Sequence, residues 1–117
     1  MTAIATASTG LSAPVNDTRE LHRLATSPLR AERLLAAAHP AAEAATLVSL
    51  ALDIADSVRG AVAANPAAPG TVLIDLAYDT HADVRLAVAA NPSAPAQALE
   101  ALADDPVPFV RLAAAAS

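Results

Sequence analysis

One phrase occurs twice in this chain, 26 residues apart: DSVRGAVAANPAAP over 56–69 and ADVRLAVAANPSAP over 82–95. Val58 and Val84 share a register, as do Arg59 and Arg85, Asn65 and Asn91, Pro66 and Pro92, and Pro69 and Pro95. One further step reaches Val110-Arg111-Leu112-Ala113, and one step back reaches Arg33 and the weaker copy Ala36-Ala37-Ala38-His39-Pro40. A fixed period of this size marks units that bury their apolar faces only against their neighbours. The functional question therefore moves from an active site to a surface and its partner.

The pattern inside the period is helical. Leu21 and Leu24, Leu47 and Leu50, Leu73 and Leu76, and Leu99 and Leu102 form four i, i+3 pairs, each one period from the next. Such a pair lays one apolar stripe on a short helix. Pro69 and Pro95 suit the first turn of that helix, where a missing N–H costs nothing. It ends near Ser27, Asp53, Asp79 and Asp105. Ser27-Pro28 and Asp105-Pro106 read as an N-cap followed by proline, and Thr80-His81-Ala82-Asp83 reads as a capping box. The second helix stops at Asn65-Pro66 and Asn91-Pro92, because proline removes the residue before it from helical geometry.

These signals predict an all-α chain: a solenoid of four helical hairpins at about 16–39, 40–65, 66–91 and 92–117. A mobile arm over 1–15 precedes them, and Asn16 and Asp17 offer caps to the first helix. The outer hairpins depart from the inner two, as terminal units of an array do. Glu32 replaces the central valine in the first, and the last runs into Ala113–Ser117 without an Asn-Pro exit.

Composition narrows the function. Aromatics make up 2% of the chain, so the core is built from Ala, Leu, Val and Ile. The net charge is −5, and residues 41–117 carry three Arg against nine acids. That balance disfavours nucleic acid and anionic membrane as partners. The absence of cysteine excludes disulfides, thiolate metal sites and iron–sulfur clusters. The stretch from Met1 has no basic n-region and no apolar h-region, so no secretory signal is expected, and with no membrane-spanning run a cytoplasmic location is the expectation.

LAYDTHADVRLAVAANPSAP and LADDPVPFVRLAAAA resemble units of the leucine-rich repeat variant family, which is similar to the HEAT-like helical repeats. The resemblance is close over 40–117 and loose over 16–39. It implies a right-handed superhelix with a binding or scaffolding role. It also implies that an Asp six residues before an Arg forms a ladder between neighbouring units: Asp53 and Arg59, Asp79 and Arg85, Asp105 and Arg111. The iron–sulfur segment of some members is not carried over, since this chain has no cysteine.

The residues themselves leave two roles for the column Arg33, Arg59, Arg85 and Arg111. It forms either a basic stripe that reads phosphates or carboxylates, or a set of ion pairs with Asp that holds the stack. Arg33 has Ser27 at its matching Asp position, which makes it the freest of the four. Asp79, His81 and Asp83 alternate along the chain, and a helix does not bring i and i+2 together, so no metal site is expected. No Ser or Thr has a positioned base, and Gly10, Gly60 and Gly70 form no phosphate loop, so no catalytic or cofactor site is expected. Tyr78 shares its register with Leu52 and Asp104, and a position that accepts Asp is a surface position. Tyr78, Phe109, Arg33, Ala113 and Ala115 are the candidate contact residues. The expected partner is another protein, or a second copy bound through the apolar last helix.

Overall fold

The computed structural model describes residues 18–117, so the expectations for the arm at 1–15 and the caps at Asn16 and Asp17 lie outside the described residues. Within them the chain forms eight helices and no strand. They are α1 (Thr18–Ala25), α2 (Arg30–Ala38), α3 (Ala44–Leu50), α4 (Asp56–Ala64), α5 (Gly70–Leu76), α6 (Ala82–Ala90), α7 (Ala96–Leu102) and α8 (Pro108–Ala115). At seven to nine residues, none is long enough to stand alone in water.

Stacking supplies the stability. The odd helices bury their leucine stripes: Leu21 and Leu24, Leu47 and Leu50, Leu73 and Leu76. In α7 the stripe shifts to Ala98 and Leu102, and Leu99 is only half-buried. The even helices bury Ala36 and Ala37, then Val58, Val62 and Ala63, then Val84, Val88 and Ala89, then Val110 and Ala114. These small side chains let even helices pack directly on one another along the stack, more extensively than the odd helices do. Substantial helix contacts join only the same or adjacent hairpins, the arrangement of a solenoid. No described helix is long and apolar enough to cross a membrane.

The helix ends follow the proline signals with two adjustments. Asn65 and Asn91 are the C-caps of α4 and α6, extended at ψ 119° and 123°, with Pro66 and Pro92 next in the chain. Pro69 and Pro95 stand one residue earlier than expected, as the N-caps of α5 and α7. The even helices start later than the capping signals suggest. Their N-caps are Leu29, Ala55, His81 and Val107, none with a side-chain capping bond. Ser27, Asp53, Asp79 and Asp105 instead accept the N–H two residues on, at 2.9–3.0 Å, in a turn that precedes each helix. The Thr80–Asp83 capping box does not form, and Pro108 rather than Pro106 occupies the first turn of α8.

Candidate interaction surface

Three of those turns fix an acidic side chain in place, and α2, α4 and α6 each aim an arginine at one of them. Arg33 Nε donates to Asp53 Oδ1, Arg59 Nε to Asp79 Oδ2 and Arg85 Nε to Asp105 Oδ2, all at 2.7 Å. The Nη2 groups close the forks at 3.2–3.3 Å. Each Nη1 reaches back six residues to a carbonyl: Ser27, Asp53 and Asp79 at 3.0, 2.8 and 2.7 Å. The carboxylate belongs to the following unit, 20 residues on, and the residue six before each Arg (Ser27, Asp53 or Asp79) gives that Arg its backbone oxygen.

These pairs are withdrawn from solvent, with the three Asp side chains 10, 8 and 4% exposed. The Arg85 guanidinium holds Asp105 below the usual carboxylate range, against burial and with help from the Val107 N–H. At Asp53 and Asp79 burial pushes upward, but the bonds from Arg33 and Arg59 and from the Ala55 and His81 N–H groups outweigh it, and both lie low. Buried forks of this kind define the register between neighbours.

Arg33 is therefore not the freest of the column: Asp53 holds it as firmly as the others are held. That position passes to Arg111. Its Nη1 donates to the Asp105 carbonyl at 2.6 Å, and no carboxylate lies within 4.0 Å of it among the described residues.

A second ladder runs along the helix exits. Asn65 Nδ2 donates to the Ala37 and His39 carbonyls, both at 2.9 Å, and Asn91 Nδ2 to those of Ala63 and Asn65 at 2.7 and 3.0 Å. Their Oδ1 atoms accept the N–H groups of Ala67 and Ser93. Both amides are buried. Ser117, one period after Asn91, donates its hydroxyl to the Ala89 carbonyl at 2.9 Å and makes a shortened third rung. The Asn-Pro pattern by itself marks these asparagines as helix ends only. Their shared register with Ser117 was the available signal.

The ladders consume most of the repeated polar residues, and several large apolar side chains stay exposed. Leu52 is 83% exposed, Ile54 91% and Tyr78 73%. With Val48, Ala51 and Val72, Leu52 and Tyr78 border a groove of about 540 Å³ between α3 and α5. Asp53, Arg59 and Asp79 lie in its wall, so the ion pair also shapes the groove. Tyr78 borders a second hollow of about 350 Å³ that reaches Asp104 and Pro106. Asp75 and Asp104 are exposed and carry no ion pair among the described residues. Leu52 and Ile54 were not singled out from sequence, although Leu52 shares the register that marked Tyr78 as exposed. Of the other candidates, Phe109 and Ala115 are exposed and Ala113 is half-buried against the core. Asp79 is engaged by Arg59, and no three His, Cys, Asp or Glu residues among those described converge as metal ligands.

Residues 82–107 match the family model of the leucine rich repeat variant. The match spans one period and encloses Arg85, Asn91 and Asp105, so a complete ion-pair rung lies within it. No curated protein and no solved structure matches the chain.

Proposed function

We propose, from the match of residues 82–107 to the leucine rich repeat variant family model, that the chain is a non-catalytic protein-interaction module. The observation that carries this is the exposed apolar side chains of Val48, Leu52 and Tyr78 along the groove between α3 and α5. Large apolar side chains clustered on a concave surface mark a protein contact. The free carboxylates of Asp75 and Asp104 near Tyr78 fit a segment in which apolar side chains stand beside a basic one. Phosphate reading by the arginine column is disfavoured, since Arg33, Arg59 and Arg85 have spent their donors on Asp.

Selection of displayed peptides on the full-length chain tests this. Binders rich in apolar and basic residues are expected, and Leu52→Asp or Tyr78→Ala is expected to weaken them at least about tenfold, the effect of losing one contact worth roughly 1.4 kcal/mol. Both side chains are exposed, so the denaturation midpoint should stay within about 0.5 kcal/mol of the parent. Binders indifferent to both substitutions, or salt-dependent binding of duplex DNA lost in an Arg59/Arg85 double variant, would contradict the proposal.

A further inference from the structure

The groove between α3 and α5 is one of three hollows that follow the period of the chain. Ala51, Leu52, Asp53 and Arg59 border it, and one period on Ala77, Tyr78, Asp79 and Arg85 border the hollow between the ends of α5 and α7. One period back, His22, Ala25 and Thr26 hold the places of Val48, Ala51 and Leu52 in a hollow of about 200 Å³ between α1 and α3. The odd helices thus carry a row of sites of like position, about one helix spacing, roughly 10 Å, apart. Tyr78 is the wall that the second and third share.

Charge and lining separate the three. In the second hollow Asp53 is held by Arg33 and Asp79 by Arg59; in the third Asp79 is held by Arg59 and Asp105 by Arg85. The cations that line these two hollows, Arg59 and Arg85, are therefore already spent. One exposed carboxylate stays uncompensated in each, Asp75 in the second and Asp104 in the third. In the first hollow Thr46 and Ser49 replace Val72 and Asp75, and its acid, Glu43, shares the lining with His22. The second and third hollows each offer apolar lining, one face of the exposed Tyr78 side chain and a single free negative charge. That set suits the apolar stem and cationic head of an arginine or lysine, with the stem on the lining, the head at the carboxylate and the tyrosine ring beside it.

We propose that the groove binds an extended segment of another protein that carries two basic side chains three residues apart, one on either side of Tyr78. This rests on the reading of the groove as a protein contact and adds which side chains enter it. The spacing follows from the row. Three residues of a polyproline-II segment advance about 9 Å and bring the side chain back to the same face, which matches the roughly 10 Å between hollows. A β-strand puts residues three apart on opposite faces. A segment that already favours the extended form in solution also loses little conformational freedom on docking.

The probe is a library of displayed linear peptides, selected separately on the full-length chain and on its Asp75→Arg and Asp104→Arg variants. Both acids are exposed and unpaired, so the variants should fold with unchanged denaturation midpoints. Parent-selected peptides are expected to hold Lys or Arg at two positions three apart. Asp75→Arg should exchange one of them for Asp or Glu, and Asp104→Arg only the other. A synthetic parent-selected peptide should bind each variant at least about tenfold more weakly, and a single Arg→Glu change at the matching position should restore binding. Spermine at the peptide's concentration should not displace it. Binders that need Leu52 and Tyr78 but exchange neither position overturn this proposal and leave the groove as the contact. A spacing of seven, the mark of a helical occupant, or displacement by spermine, the mark of bare charge, also overturns it. A chain that selects no groove binder removes both readings.

Discussion

Asn91→Asp is expected to cost about 4 kcal/mol of folding stability, more than Asn91→Ala at about 2 kcal/mol. The two side chains have nearly the same shape, and a turn or helix end accepts either. At position 91, however, the amide donates to the Ala63 and Asn65 carbonyls while its oxygen takes the Ser93 N–H. A carboxylate keeps the last bond and turns the first two into a buried negative charge facing two oxygens. Protonation relieves that charge, so the penalty should shrink as the pH falls. Denaturant titration at neutral and acid pH reads both effects. Equal stability of the Asp and Asn chains would reduce Asn91 to a helix stop.

The ion-pair ladder gives the second large effect. Asp79→Ala removes the carboxylate from Arg59 and the acceptor from the His81 N–H. Breaking a buried pair from one side costs about 3–5 kcal/mol because the partner charge stays behind. The lower end applies here, since Arg59 keeps the Asp53 and Ile54 carbonyls. Against the 5–15 kcal/mol that separates folded from unfolded domains, about 3 kcal/mol is a large fraction. Acid approaches the same state by another route. Asp79 lies low in the folded chain, so its stabilisation is complete above the unfolded carboxylate value of about 3.9 and is lost as the pH falls through the folded value. The Asp79→Ala chain should therefore lose stability less steeply in acid than its parent. A change below about 0.5 kcal/mol would make the pair an incidental surface contact.

What the sequence reveals depends on how far each interaction reaches. The leucine pairs and the Asn-Pro exits act within a helix or at its end, and their spacing alone places the elements. The N-caps were displaced because a small acceptor such as Asp53 serves a turn before the helix as well as it serves a cap, and both roles suit the same residue types. Arg33 has no Asp six residues upstream, so the sequence alone does not show its partner. The partner lies 20 residues downstream, in a unit that comes near only when hairpins stack. The asparagine ladder was missed for the same reason, since the carbonyls it joins are 26 and 28 residues back. On the surface, the shared register of Leu52, Tyr78 and Asp104 was enough to place Tyr78 outside. It does not show that Leu52 and Tyr78 border one groove, which depends on how α3 and α5 lie together.

The central claim is that the repeated arginines hold the stack and that the register opens only at Arg111. Hydrogen exchange at the arginine Nε–H groups, resolved by NMR in the full-length chain, tests it most directly. Arg33, Arg59 and Arg85 donate Nε–H to carboxylates largely withdrawn from solvent and should exchange slowly, while Arg111 should exchange like a solvated guanidinium. Fast exchange at all four, with resonances that move together on addition of inorganic phosphate, would mean an open basic column and would contradict the ladder.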